Sequence, residues 1–133
     1  MAKYDVTLRN SRMAANQSAF TGGAVLFCQG AVPATLAMPA PGAILSRHPI
    51  VGAGAVGNGA LTYADADIAT DASADNGTNT PPTYCVVVDV NGAARALYAI
   101  PSQMAVTFGS GAAGPTAGQE VDVDSMTITE GNA

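Results

Sequence analysis

The chain holds few residues able to do chemistry, and their types and spacing limit what that chemistry can be. One histidine, His48, and two cysteines, Cys28 and Cys85, occur in 133 residues. A lone histidine beside Pro49 reads as a surface or capping residue, because general-base or ligand work needs a paired partner that the sequence does not supply. Two distant cysteines and one histidine cannot complete a four-ligand zinc site from this chain. In a reducing compartment both cysteines are expected as free, buried thiols in strands. The 15 glycines fall into no phosphate-binding loop, dinucleotide fingerprint or nucleophile elbow.

The acidic residues offer two further patterns. Asp65, Asp67, Asp71 and Asp75 crowd one region, and Asp71-x-Ser73-x-Asp75 begins like a calcium loop. Such a loop needs glycine at its sixth position and glutamate at its twelfth, whereas here Gly77 is seventh and Pro82 twelfth. The stretch therefore reads as a solvated loop with side chains turning back onto the backbone. Asp122 and Asp124 lie two apart on an expected strand, so they share one face, and that face reads as solvent-exposed. No metal site, cofactor or enzymatic activity is expected.

Composition narrows the partners. The net charge of −5 rests on five basic residues, of which only Arg9 and Arg12 are close together. That is too little cation to hold a phosphate backbone, so nucleic acid is not an expected partner. Only 11% of residues are charged, against about 25% in an average soluble domain. A surface this neutral suits a protein packed into a larger assembly. The apolar fraction is high, but 27 alanines supply more of it than the 23 valines, isoleucines and leucines together. The core should be thin, with some stability drawn from neighbouring subunits. The N-terminal residues lack a signal-peptide core, and no apolar run approaches the ~20 residues of a membrane helix, so a cytoplasmic origin without membrane contact is expected.

The elements that must position these residues centre on 83–100, TYCVVVDVNGAARALYAI, an apolar, β-branched and aromatic run divided by Asn91-Gly92. Asn-Gly between apolar runs signals a hairpin whose two-residue turn has positive φ at both central residues. That turn would set Val86 opposite Leu97 and Cys85 opposite Tyr98. A three-residue loop would instead set Val87 opposite Leu97 and Asp89 opposite Arg95. The second register is favoured, since facing opposite charges contribute roughly 0.2–1 kcal/mol. With so few polar residues, both strands should be covered on both faces.

Around this hairpin the chain reads as residues 1–20, an arm with a short helix, followed by one β-domain over 21–133. Residues 1–4 form the arm and 5–20 the helix, with Asp5 as N-cap, an apolar face of Leu8, Met13, Ala14 or Ala15 and Phe20, and Thr21-Gly22-Gly23 as its stop. Strands are expected at 24–29 and 43–50. Between them Pro33, Pro39 and Pro41 allow at most an edge segment carrying Leu36 and Met38. Residues 51–59 read as a glycine-rich turn, 60–70 as an alternating strand with a bulge near Asp67, and 71–82 as a long surface loop. Short strands at 104–108 and 118–129, the last slipping phase at Ser125, complete an all-β antiparallel sandwich, jelly-roll-like, with at most one short N-terminal helix.

This order of segments, and in particular 70–75 (TDASAD), 84–89 (YCVVVD) and 118–130 (GQEVDVDSMTITE), resembles small virion proteins of tailed bacteriophages of the head decoration, or capsid cement, type. The resemblance implies a structural protein of the virion that binds the outer capsid shell at joints between major capsid protein subunits. It also implies a self-associated trimer or dimer. Contacts would then come from the arm and helix (Lys3, Tyr4, Arg9, Arg12) and from the loops carrying Leu36, Met38, Val51 and Val56. A tail-associated or head-fibre base component is the alternative. A carbohydrate- or receptor-binding module ranks third, since only Tyr4, Tyr63, Tyr84 and Tyr98 among the larger aromatics could face a sugar.

Overall fold

A computed structural model describes residues 4–109 and 114–129. Helix α1 (Val6–Phe20) precedes eight strands: β1 (Ala24–Cys28), β2 (Ile44–Pro49), β3 (Ala55–Gly57), β4 (Ala60–Ala64), β5 (Tyr84–Val88), β6 (Ala94–Ala99), β7 (Met104–Phe108) and β8 (Val123–Thr129). They form two antiparallel four-stranded sheets, ordered β2-β1-β5-β6 and β3-β4-β8-β7, packed as a sandwich. The expected fold class is therefore present, including the single helix.

Helix α1 starts where Asp5 Oδ1 accepts the Leu8 N–H at 2.8 Å, filling a donor that the first turn leaves unpaired. It stops at Thr21, whose N–H and hydroxyl both donate to Gln17 O. The chain then passes so close to β5 that any Cβ on Gly23 would lie 1.9 Å from Val88 O. Met13 and Phe20, two turns apart, enter the core. Leu8, expected on the same face, is 46% exposed. Five residues at 3.6 per turn set it roughly 140° away from Met13.

The main core lies between the sheets: Val25, Phe27, Cys85 and Val87 from one, and Leu61, Tyr63, Val123, Met126 and Ile128 from the other. A second apolar cluster, with Leu26, Cys28, Ile44, Tyr84, Val86 and Val88, occupies the opposite face of the first sheet. Every residue of β5 is buried, as its unbroken apolar run implied, but β6 is an edge strand and only half-buried.

The hairpin register differs from the favoured one. Its loop has three residues, closed by Gly92 N–H donating to Asp89 O and Asp89 N–H donating to Ala93 O, both at 2.9 Å. Only Gly92 has positive φ, so Asn91-Gly92 is not a two-residue turn of the expected kind; it is a turn closed by a glycine bulge. Val88 pairs with Ala94 but Val87 with Ala96, leaving Arg95 as an extra residue. Beyond that bulge Val86 faces Leu97 and Cys85 faces Tyr98, the register set aside on charge grounds. The Asp89–Arg95 ion pair nevertheless forms at 3.3 Å, because the bulge lets Arg95 reach back. The same Asp89 carboxylate accepts the N–H groups of Asn91 and Ala93 at 2.9 and 3.0 Å.

The both-positive Asn-Gly turn occurs elsewhere. Asn58 (φ 53°) and Gly59 (φ 73°) join β3 to β4, so 51–59 contains a strand as well as the turn expected there. The shift near Asp67 is a 3-10 turn, Asp65–Asp67, with Asp67 Oδ2 accepting the Ala64 N–H, rather than a bulge. The slip at Ser125 is a bulge: Thr107 pairs with Ser125 but Phe108 with Val123, leaving Asp124 over. The segment carrying Leu36 and Met38 is not a strand.

Two outcomes follow from this packing. Val87→Asp places a charge without a partner in the main core and should give insoluble protein, checked by the soluble fraction on expression. Hydrogen bonds from Ala93, then Arg95 and Asn91, hold the Asp89 carboxyl below its ordinary range. Its contribution is therefore present above the ordinary carboxylate pKa and is lost as pH falls through the lowered one. Asp89→Ala should lower the thermal midpoint at pH 7, by an amount that shrinks as the wild type is titrated through the acid range.

Candidate functional site

The cysteines lie on adjacent strands facing opposite sides of the first sheet, Cys28 in the outer cluster and Cys85 in the main core. Both are free and buried, as expected. Burial pushes the Cys28 thiol up to about 11 against a Tyr84 hydrogen bond that lowers it, and raises Cys85 as well. Neither is a nucleophile at neutral pH.

His48 is not a surface residue. It has 0% exposure, its Nδ1 lies 2.8 Å from Ala69 O, and its Nε2 lies 2.9 Å from Ser46 Oγ, also at 0%. A carbonyl only accepts, so Nδ1 carries the proton and neutral Nε2 accepts from the serine hydroxyl. The ring also packs edge-on against Phe27 at 5.4 Å. A Ser-His hydrogen bond is the first pair a covalent hydrolase needs, but this one is shut away from solvent and satisfied by Ala69, so we read it as structural. Ser46 carried no sequence signal of its own; alternation along β2 would have pointed both side chains inward.

Burial lowers the His48 pKa, with Ala69 O and the charges of Asp71 and Asp122 opposing. The unfolded chain therefore binds this proton first, and stability should fall as pH drops below the ordinary histidine value of about 6.5. His48→Gln should flatten that part of the thermal-midpoint profile.

The acidic residues divide differently from their order in the chain. Asp71 Oδ1 accepts the Ser73 N–H at 3.0 Å and its Oδ2 the Arg47 N–H at 2.8 Å. Asp75 pairs with the Arg47 guanidinium at 2.8 Å. The calcium-like stretch is thus a turn docked on β2. Asp65 instead joins Asp122 and Asp124, with one oxygen of each lying within 4.8 Å of the others. The pairing of Ala64 with Ser125 brings the end of β4 beside the start of β8. Gly109 leaves room for them, since a Cβ there would lie 2.6 Å from Asp122 Oδ2 and 2.7 Å from Asp124 Oδ1. Sequence reasoning grouped Asp65 with its neighbours in the chain and missed this cluster, because only strand pairing assembles it.

Three carboxylate oxygens are the donor type that hard divalent cations take, and among the described residues this is the group that could hold one. Without a cation the charges repel. A hydrogen bond to Asp122, then the Asp122 charge, raises the Asp65 pKa. A raised carboxyl disfavours the fold as pH climbs through it. Asp65→Asn should therefore raise the thermal midpoint at pH 7 and leave it nearly unchanged in acid, where the wild-type carboxyl is already protonated.

The residues expected to contact a partner do not form one face. Tyr4 is 42% exposed, and the Arg12 guanidinium lies 4.8 Å from its ring centre, tying the end of the arm to the helix. Lys3 lies outside the described residues. Arg9 is half-buried, its guanidinium against the Asn58-Gly59 turn, and Val56 packs on the main core; both are positioned as scaffold. Leu36 (47%), Met38 (51%) and Val51 (67%) are open to solvent. Exposed apolar residues that sequence reasoning did not single out are Val6 on the helix, Val32 beside Leu36 and Met38, and Val90 at the hairpin tip. Residues 29–43 join the Cys28 and Ile44 ends of β1 and β2, whereas Val90 follows the Val88 end of β5, so these contacts sit at opposite ends of the first sheet. Compared with protein-family models, with curated proteins and with solved structures, the chain matches none.

Proposed function

We propose that the protein is a structural component of a tailed-bacteriophage virion, a head decoration protein that binds the outer capsid shell across joints between major capsid protein subunits. The observation carrying this reading is where the large apolar side chains are exposed. Val32, Leu36 and Met38 share one loop, Val51 and Val90 lie in two others, and all stand off a buried sandwich. The low charge of the surface and the sequence resemblance of 70–75, 84–89 and 118–130 support it further. Attachment works by burying the loop that carries Val32, Leu36 and Met38 against a fixed shell, with no reaction and no nucleic acid in contact. Few charges take part, so salt screening has little to act on.

The test is reconstitution on particles. Leu36→Asp/Met38→Asp should leave the thermal midpoint close to wild type, as surface changes usually stay within about 0.5 kcal/mol, and should abolish attachment measured by cosedimentation. Wild-type protein should stay attached in ~1 M salt, where the screening length is ~3 Å. Stripping by salt alone would refute the apolar contact. An electron-microscopy map then gives the copy number and position, and density on a tail or fibre base would move the protein to that role.

A further inference from the structure

Each sheet of the sandwich has two edges, and three of the four are guarded. Beside β2, Asp71 Oδ2 accepts the Arg47 N–H and Asp75 N–H donates to Leu45 O, both at 2.8 Å. Beside β3, the helix reaches in through Gln17, whose Nε2 donates to Ala53 O, and through Asn10, which accepts the Gly59 N–H. β6 is broken by the bulge at Arg95, held in an ion pair, and its last N–H donates to the Gln103 side chain. β7 has none of these. Its sequence, MAVTF, contains no proline, lysine or other charge, and the bulge in its pairing belongs to β8. Among the described residues nothing pairs with its outer edge. Natural proteins block such edges because an open row of backbone donors and acceptors invites another strand.

Two features say what covers it. The first is charge: in a chain of net charge −5, residues 96–119 contain no Asp, Glu, Lys, Arg or His. The strand itself is uncharged, but the acidic cluster stands at its end, where a Cβ on Gly109 would meet Asp122 and Asp124. An antiparallel pairing of two copies about Val106 sets the two clusters at opposite ends of the joint, so copies of an acidic protein meet there at little cost. The second is self-complementarity. An antiparallel pairing centred on Val106 sets Val106 against Val106, Ala105 against Thr107 and Met104 against Phe108, so apolar faces apolar and small faces small. Val106 and Phe108, half-buried at the margin of the main core, gain cover on the same face. We propose that β7 is a homodimer edge, where two copies join across a two-fold axis into one continuous sheet running β3-β4-β8-β7 and back through the second copy. Such an isologous contact closes at two and leaves no open edge to propagate. It does not depend on the capsid reading, since it is tested on the isolated chain.

Sedimentation velocity on the full-length protein tests it. Wild type should sediment as a dimer across the micromolar range. Ala105→Lys/Thr107→Lys changes two exposed outward positions, putting Lys opposite Lys twice across the axis, and should sediment as a folded monomer with unchanged circular dichroism. Ala105→Glu/Thr107→Glu should do the same and serves if the lysine pair fails to fold. Ala105→Lys/Thr107→Glu puts Lys opposite Glu twice and should restore the dimer. A monomeric or trimeric wild type, a like-charged pair that stays dimeric, or a folded mixed pair that stays monomeric would each overturn the proposal.

Discussion

A strand buried on both faces constrains everything around it. In β5, Cys85 and Val87 face the second sheet while Tyr84, Val86 and Val88 face the other way, and all five are buried. Such a strand cannot sit at an edge, so β1 and β6 must flank it and a layer must close each side. Gly23 follows from this requirement. The chain leaving α1 must reach β1 by passing against Val88 O, where a side chain would not fit. Helix, turn and first strand are therefore set by their relation to β5. The half-buried β6 shows how far the constraint reaches, because one strand further out the apolar cover already thins.

How much could be read in the sequence follows from how local each signal is. Asp5 as a cap, Thr21-Gly22-Gly23 as a stop and the apolar run of β5 act within a few residues and were legible. Turn type was not, because it depends on what the flanking strands do. Asn58-Gly59 and Asn91-Gly92 are the same dipeptide, yet only the first has both residues at positive φ. At the second, Asp89 gathers two backbone N–H groups and selects a three-residue loop, and the bulge then corrects the register. The Asp89–Arg95 ion pair forms as expected although the strands align differently, since a long arginine can bridge a one-residue shift that backbone pairing cannot. Asp65 with Asp122 and Asp124, and Ser46 with His48, were hidden for a related reason: each needs a pairing or a facing that only the folded sheets define.

The thin core has a counterpart in the loops. Residues 71–82 were expected as a surface loop, and they are nevertheless laced to the body of the protein. Asn76 donates to Pro41 O and Ile44 O, Thr80 N–H to Pro115 O, and Asp71 exchanges both backbone bonds with Val121. Close approach reinforces this at Gly114, where a Cβ would meet Thr80 O at 1.9 Å. Where alanine and glycine leave little apolar area to bury, backbone hydrogen bonds and small-residue contacts take over the ordering of the chain.

This division bears on binding. A protein that docks through loops ordinarily loses loop entropy when it does so, and that loss subtracts from the affinity of the contact. Here loop 71–82 is fixed beforehand by hydrogen bonds, and one of them, from Asn76 to Pro41 O, also ties down the end of the segment that carries the exposed Leu36 and Met38. Charge is sorted as well. The carboxylates of Asp65, Asp122 and Asp124 concentrate repulsion at one end of β7, beside Gly109, whereas the strand itself carries no charge, so a neighbour is resisted at that end and admitted along the rest. Like charges brought together in a wrong orientation penalise it, and that penalty adds to the discrimination that apolar contacts supply. A neutral, alanine-rich chain can thereby retain orientation specificity with few strong contacts, provided its acidic groups stand at one end of the edge it leaves open and an antiparallel neighbour brings its own to the other.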